Sequence, residues 1–240
     1  MITIARIIAI AILSLLMTSC DFNFSSGIAG NRHVVTEERD IDEDFTVIRA
    51  SEGLDVYITQ SETTSIEVEA DENVIDLIAT DISNGTLRIH AKKSIGRCKS
   101  KKIRVSLPNI DKIVSSSAAD VYGTSTIFAE SIEIESSSSS DVELEIEADN
   151  VMCTTSSAAK IKISGIAESL EADASSASDI YARELTVKNC NATASSAADI
   201  TVNVTERLVA NSSSSGDVSY YGNPESVSKN KSSAGGIYKK

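Results

Sequence analysis

Hydrophobic and polar residues alternate along most of this chain, and the alternation has a period of two. In the stretch DVELEIEAD (141–149), Val142, Leu144 and Ile146 share one side and acidic residues share the other. Successive side chains of a β-strand point to opposite faces, so the pattern predicts strands with one buried and one solvated face. Only two prolines interrupt the 240 residues, as expected where strands donate backbone hydrogen bonds to their neighbours.

One short phrase recurs seven times between residues 115 and 237: small residues, then usually Asp, then a β-branched residue. The copies are SSSAADV (115–121), SSSSSDV (136–142), SSAAKI (156–161), SSASDI (175–180), SSAADI (195–200), SSSSGDV (212–218) and SSAGGI (232–237). Successive copies are 18 to 21 residues apart. A period near 20 residues is typical of a solenoid, in which each turn buries a face on the next.

This period predicts an all-β fold, a single-stranded parallel β-helix with about seven regular coils. About 20 residues suffice for three short strands and three corners, and seven stacked coils would rise about 34 Å. The usual crossover preference would make the helix right-handed. An antiparallel sandwich is the alternative, but it gives no reason for one corner to recur with the same letters. The regular coils are expected at 110–240.

An irregular N-terminal β part is expected at 33–109, continuous with the coils as one domain. Its stretch ASEGLDVYIT (50–59) resembles the recurring phrase, with Asp55 in the place of the recurring Asp. Hydrophobic residues spaced i, i+3 and i+4 predict a short helix at 72–80. The pair Asn84-Gly85 predicts a turn before a strand at 86–91.

The first twenty residues have the proportions of a signal peptide. Arg6 precedes an apolar run too short to span a bilayer permanently, and Cys20 follows small residues. This ending resembles a bacterial lipobox, which predicts a lipoprotein signal at 1–19, a lipidated Cys20, and a tether over 20–32. An ordinary cleaved signal that happens to end in Cys is the alternative. The lipid would anchor the protein in the cell envelope, with the outer membrane as the expected location.

Charge and cysteine content narrow the function classes. The formal net charge of −13 argues against nucleic-acid binding. Besides Cys20, three cysteines remain, and an odd number outside the cytoplasm argues against a disulfide framework. Cys153 and Cys190 are expected to be buried, inert and two coils apart. Cys98 lies among cations, so we expect it to be exposed and activated toward the thiolate.

The recurring acidic residues form the first candidate site. We predict that they stack at equivalent corners; the set is Asp55, Asp120, Asp141, Asp179, Asp199 and Asp217. A ladder of Ca²⁺ ions is one interpretation, because this ion prefers oxygen ligands. A structural role, in which each Asp accepts hydrogen bonds from corner N–H groups, is favoured because each corner supplies only one carboxylate. No metal, cofactor or catalytic residue is therefore expected.

A cluster of cations at 92–104 forms the second candidate site, as a contact for an anionic sugar, a lipid phosphate or an acidic partner. A solvated loop is the alternative. The cluster lies in an exposed loop expected at 92–102 and the strand after it, and consists of Lys92, Lys93, Arg97, Lys99, Lys101, Lys102 and Arg104.

Three stretches and the corners together resemble the bacterial family described as "putative auto-transporter adhesin, head GIN domain". The stretches are FTVIRASEGLDVYIT (45–59), NGTLRIHAKK (84–93) and IRVSLPNIDKI (103–113). The resemblance runs from about Phe45 to Tyr238 and implies a β-helix on a lipoprotein of the Bacteroidetes kind, with no established enzymatic activity. This chain has Ser and Ala where the family corners often have Gly. Because Ser and Ala tolerate a positive φ poorly, this difference argues against corners that need one.

These observations favour a non-enzymatic, lipid-anchored module for adhesion, interaction or scaffolding. Its expected partners are the membrane, through the lipid, and an envelope protein or polysaccharide. Self-association through the terminal coils stays open. A carbohydrate-active β-helix enzyme and an envelope sensor are the alternatives.

Overall fold

The computed structural model describes residues 27–240, so the predicted signal, Cys20 and most of the tether lie outside the described residues. Seventeen strands and one 3₁₀ turn, Ile75–Leu77, build this part of the chain. The strands are β1 (Val34–Glu38), β2 (Val47–Ala50), β3 (Asp55–Gln60), β4 (Ser65–Asp71), β5 (Ile78–Ser83), β6 (Thr86–Ala91), β7 (Lys101–Leu107), β8 (Lys112–Ser115), β9 (Asp120–Gly123), β10 (Ile127–Ser137), β11 (Asp141–Ser156), β12 (Lys160–Ala174), β13 (Asp179–Ala194), β14 (Asp199–Ser212), β15 (Asp217–Tyr221), β16 (Ser226–Lys231) and β17 (Gly236–Lys239).

From β8 onward every strand pairs in parallel with the strand one coil away. The β11–β12 and β13–β14 ladders, for example, extend over nearly the whole length of both strands. The chain therefore winds as a single-stranded parallel β-helix of about seven turns, which confirms the predicted fold class.

Each coil has three sides, although β11 to β14 are each continuous for 14 to 16 residues. Inward and outward residues alternate along a side, and two successive outward residues mark a corner. In β13 these pairs are Arg183-Glu184 and Lys188-Asn189, and the ladder register shifts near both. The third corner is the recurring phrase, which lies between consecutive long strands.

Two consecutive residues at the recurring corner have positive φ in all seven copies, and none of these residues is glycine. Ser157 and Ala158, for example, have φ of 56° and 60°. The expectation that Ser and Ala argue against such corners is therefore wrong. The corners stack as their own hydrogen-bonded ladder: the Ala158 N–H donates to the Ser176 carbonyl, and the Ala177 N–H donates to the Ser196 carbonyl. These bonds continue the ladder around the bend and hold the strained backbone in place.

Aliphatic residues fill the interior along the whole length of the solenoid. One inward column holds Ile113, Ile134, Cys153 and Ala172, all fully buried, at equivalent places in successive coils. Branched and small side chains fit the narrow space between stacked strands. Buried hydroxyls close the corners, as where the Ser136 Oγ donates to the Ser140 carbonyl at 2.9 Å.

The N-terminal part caps one end of the solenoid with antiparallel strands. β1 pairs antiparallel with β4, β4 with β7, and β5 with β6. The helix predicted at 72–80 is wrong: only the 3₁₀ turn forms, because residues 78–83 instead pair with β6 across the Asn84-Gly85 turn. The predicted basic loop is also shorter, since β7 begins at Lys101. Among residues 27–240, no helix has the length and apolarity needed to cross a membrane.

Candidate functional site

The recurring acidic residues stand in register along one edge of the solenoid. Asp55, Asp120 and Asp141 form one triplet, and Asp179, Asp199 and Asp217 form another. Lys160 separates the triplets, and Lys102 pairs with Asp55 at the far end of the first. Adjacent strands are about 4.8 Å apart, so neighbouring carboxylates repel one another, and the lysines relieve part of that repulsion.

The carboxyl group at the centre of each triplet has a raised pKa, caused first by burial and then by the charges of its neighbours. Burial, together with the charges of Asp141 and Asp55, raises the pKa of Asp120, although the Asp141 N–H lowers it. Burial and the charges of Asp179 and Asp217 raise the pKa of Asp199. Within residues 27–240, no three His, Cys, Asp or Glu side chains converge in a way that could hold a metal ion.

The expected hydrogen bonds from corner N–H groups to each Asp do not form as a set. Over the described residues, Asp120 is the only one of the six whose carboxylate accepts a backbone N–H, from Asp141 at 3.3 Å. The reason is that the corner N–H groups already donate to carbonyls of the neighbouring coil, as the Asp199 N–H does to the Ser178 carbonyl. The Asp column therefore marks where strands begin, with Asp141 and Asp199 exposed and the other four half-buried.

Asparagine in place of Asp199 should stabilise the protein slightly at neutral pH. The folded chain holds the Asp199 proton more tightly than the unfolded chain, so stability falls as pH rises from the usual pKa of Asp through the raised value. Because asparagine does not titrate, the variant does not lose this stability as the pH rises. Because the site is exposed, we expect a gain of about 0.5 kcal/mol or less at pH 7, shrinking toward pH ~4. Urea unfolding at both pH values measures it, with Asp149→Asn as the control; a gain that grows at low pH would contradict this explanation.

The predicted cation cluster divides into three parts. Arg104 is neutralised, since its guanidinium contacts Glu67 and Glu69 at 2.7 and 2.9 Å. Lys101 and Lys102 belong to β7, where the Lys102 Nζ lies 5.8 Å from the ring centroid of Tyr57. The loop itself keeps four exposed cations, which are Lys92, Lys93, Arg97 and Lys99.

The last part of the predicted tether is ordered, because Ile28 and Gly30 are fastened to this basic loop. The Ile28 N–H donates to the Ser94 carbonyl at 2.9 Å, and the Gly30 N–H donates to the Arg97 carbonyl at 3.0 Å. The four loop cations therefore lie where the chain from Cys20 enters the fold.

Asp71 organises this entry point, and the sequence reading missed it. Its fully buried carboxylate accepts the N–H groups of Arg32, Lys99 and Ser100 at 2.7, 2.9 and 3.1 Å. Burial alone would raise the pKa of Asp71, but these three N–H groups lower it below its usual value. Gly30 is required beside it, because a Cβ there would collide with the Asp71 carboxylate.

Burial raises the thiol pKa of all three cysteines in the described part of the chain. Cys153 and Cys190 are buried on inward positions two coils apart, and burial raises the pKa of both thiols, that of Cys190 to about 12. The expectation of an exposed, activated Cys98 is wrong. Cys98 is half-buried, and burial raises its pKa despite the opposing charge of Lys101.

A groove of about 880 Å³ runs beside one corner of five consecutive coils. Its floor is aliphatic. Three buried side chains lie beneath it, Ile132, Val151 and Leu170, and each is only 2% exposed. Its polar lining repeats once per coil, because equivalent positions carry Ser131, Asn150, Ser169, Asn189 and Arg207. Five coils at about 4.8 Å give a track about 19 Å long.

Part of this lining is ordered by side-chain hydrogen bonds. The Asn150 Nδ2 donates to the Ser131 Oγ at 3.3 Å, and the Ser169 Oγ donates to the Asn150 Oδ1 at 2.7 Å. Asn189 and Asn191 continue the lining with further amide groups. The sequence reading missed the groove as well, although the outward Asn and Ser residues one period apart were a signal for it.

Comparison with known proteins identifies the family. A model of the family described as "Putative auto-transporter adhesin, head GIN domain" matches residues 44–224. The chain belongs to this family. This agrees with the resemblance carried by the three stretches and the corners. A search of curated proteins gave no significant match.

Solved structures of similar shape come from Bacteroides and Parabacteroides species. A "putative adhesin" from Bacteroides fragilis has a TM-score of 0.81 and 22% identity, with 89% of this chain and 100% of that chain covered. A "putative adhesin" from Parabacteroides merdae has a TM-score of 0.71 and 20% identity, covering 89% and 98%. A "Putative lipid binding protein" from Parabacteroides distasonis has a TM-score of 0.67 and 23% identity, covering 89% and 99%. At these identities the likeness establishes the shared fold of this family member.

Proposed function

We propose that this family member is a non-enzymatic interaction module, held to the cell envelope by a lipid on Cys20, that binds an extended polysaccharide along its groove. The observation that carries the proposal is the track of polar side chains repeated once per coil over an aliphatic floor. A polymer crossing the track would meet one similar contact per coil, so weak contacts would add without new chemistry. The adhesin names of the similar structures agree with this function.

The chemistry of the groove favours a sugar polymer over a peptide. Peptides that bind sheets usually add a strand to an open edge. The groove instead lies on the face of strands whose backbone groups already pair with both neighbouring coils, as those of β12 pair with β11 and β13. What remains for a ligand are outward side chains that can hydrogen-bond sugar hydroxyls: amides and hydroxyls, Arg207, and the carboxylates of Asp111, Glu133 and Glu171.

The anchor belongs to the same proposal. The basic loop lies at one end of the solenoid, and a lipid on Cys20 would hold that end close to the membrane. Lipid phosphates would then face four cations, which are Lys92, Lys93, Arg97 and Lys99. The coils from β8 onward, including the groove, then extend away from the bilayer. The outer membrane remains the proposed location.

Removing two groove amides should weaken polysaccharide binding without unfolding the protein. Asn189→Ala with Asn191→Ala takes away hydrogen-bonding groups at the centre of the groove. We expect retention of size-fractionated envelope polysaccharide on the immobilised full chain to fall about tenfold or more, which corresponds to ~1.4 kcal/mol. Asn211→Ala, on the same side but outside the groove lining, should bind like the wild type.

Three further measurements separate the alternatives. Cys20→Ser should leave binding intact and release the protein from the membrane fraction. Unchanged retention by the double Asn variant would exclude the groove as the binding surface. Release of reducing ends from the polysaccharide would instead identify a carbohydrate-active enzyme, and retention of phospholipid vesicles through the groove would point to lipid binding, as the name of the Parabacteroides distasonis structure suggests.

A further inference from the structure

Three lysines of the last coil occupy positions that are core positions in every coil beneath. Lys229 follows Ala210, Ala192 and Ala172 in one inward column. Lys231 follows Ser212 in a second column, and Lys239 follows Tyr220 in a third. The residues they follow are all buried, whereas the three lysines are exposed.

The lysine side chains lie across the end of the core. The Lys229 Nζ is 4.8 Å from the ring centroid of Tyr220, which is only 4% exposed. The Lys231 Nζ is 5.6 Å from the ring centroid of Tyr238. Cations over aromatic faces stay hydrated on one side while they cover apolar surface on the other. The three ammonium groups thus form the outer surface of the terminal coil.

The two ends of the solenoid are closed differently. At the N-terminal end, antiparallel β1 and β5 cover the coils. At the other end of the described chain, β16 and β17 present free strand edges. An uncovered edge is a template for pairing with another chain, and inward-pointing charges are one means by which natural sheets prevent this.

We propose that Lys229, Lys231 and Lys239 form a cap that prevents a second copy of this chain from stacking on the last coil. Stacking would bury three ammonium groups at core positions, and within residues 27–240 their only hydrogen-bond acceptor is the neutral Asn223 Oδ1, 2.9 Å from the Lys239 Nζ. Two such ends meeting face to face would add the repulsion of like charges. The coil formed by β16 and β17 therefore blocks self-association through its own exposed edges.

The test replaces each lysine by a residue from its own column, and the valine of the third column is Val202, which pairs with Tyr220. The variant Lys229→Ala, Lys231→Ser and Lys239→Val extends the core into the last coil. The matched control Lys162→Ala, Lys188→Ala and Lys240→Ala removes the same charge from outward or end-proximal positions. Sedimentation velocity of the full chain with Cys20→Ser should show monomers for the wild type and the control. The column variant should associate at concentrations at least about tenfold lower, ~1.4 kcal/mol in binding free energy.

Two more variants test whether inward charge causes the effect and whether misfolding explains it. Lys229→Glu with Lys231→Glu keeps inward charge of the other sign and should stay monomeric. If the triple variant does not fold, the mildest column change, Lys231→Ser alone, should still associate weakly. A folded column variant that remains monomeric at the highest concentrations would overturn the proposal. Wild-type association equal to that of the column variant would overturn it as well.

Discussion

Replacing Gly165 with alanine should destabilise the protein by about 3 kcal/mol or more. Gly165 lies at a corner of β12 with φ of 113°, a conformation that side chains rarely adopt. A Cβ there would also collide with the Ile146 carbonyl oxygen of the adjoining coil. Neither coil can move without breaking the hydrogen-bonded ladder that joins them, so the collision cannot be relieved by a small shift of the backbone. Urea unfolding measures the loss.

Gly85 provides the matched control. It too has positive φ, 72°, but no atom lies within 4 Å of the Cβ that a substitution would add. Gly85→Ala should therefore cost only the backbone preference, about 1 kcal/mol. If the two variants lost equal stability, steric contact between coils at Gly165 would not be the cause.

Glycine at the recurring corners should have the opposite effect and raise stability. Ala118, Ala158 and Ala197 have φ of 60° in the structure. Such a conformation costs an L-residue about 1–2 kcal/mol, which glycine avoids. Glycine also has more conformational entropy in the unfolded chain, and this cancels about 0.5–1 kcal/mol of the stability gained at each site. The triple Gly variant should therefore gain about 1.5–3 kcal/mol, since these corners lie two coils or more apart and their effects should add.

Thermal unfolding measures this gain as a rise in melting temperature of about 3–12 °C for a chain of this size. The control is Ala192→Gly, at a fully buried strand position in an inward column, which should lower the melting temperature. A triple variant that melts at or below the wild-type temperature would show that the stacked corner ladder, rather than glycine-like freedom, sets the corner energetics.

The period, the parallel stacking and the alignment of the acidic column could be predicted because they depend only on repetition. When Asp179, Asp199 and Asp217 follow one another at nearly constant spacing, a solenoid places them in register whatever the details of the coil. The inward placement of Cys153 and Cys190 follows from the same periodicity.

The positive φ of the corners could not be predicted from residue preference. Ala158 disfavours that conformation in isolation, and hydrogen bonds between coils impose it. Tertiary pairing similarly overrode the helical spacing at 72–80, where residues 78–83 gain more from a hairpin with β6. Local sequence contains neither interaction.

The candidate sites were less predictable than the fold, because they depend on where irregular segments meet. Asp71 binds N–H groups from Arg32 and Lys99, which are far from it in sequence. Cys98 is close to cations, as the sequence suggested. The segment at 27–33 and Asp71 pack around it, however, so burial is the largest influence on its pKa and raises it. The groove depends on how the coil bends between Asp149 and Asn150, which alternation alone does not specify.

Binding measured against ligand length tests the proposed function most directly. Isothermal titration of the full chain with envelope oligosaccharides of graded length should show affinity rising with each added unit until the ligand spans the groove, about 19 Å across five coils, and then levelling off. Affinity that is independent of ligand length, or that keeps rising well beyond that span, would contradict the proposal that each coil of the groove contributes one similar contact to the bound polymer.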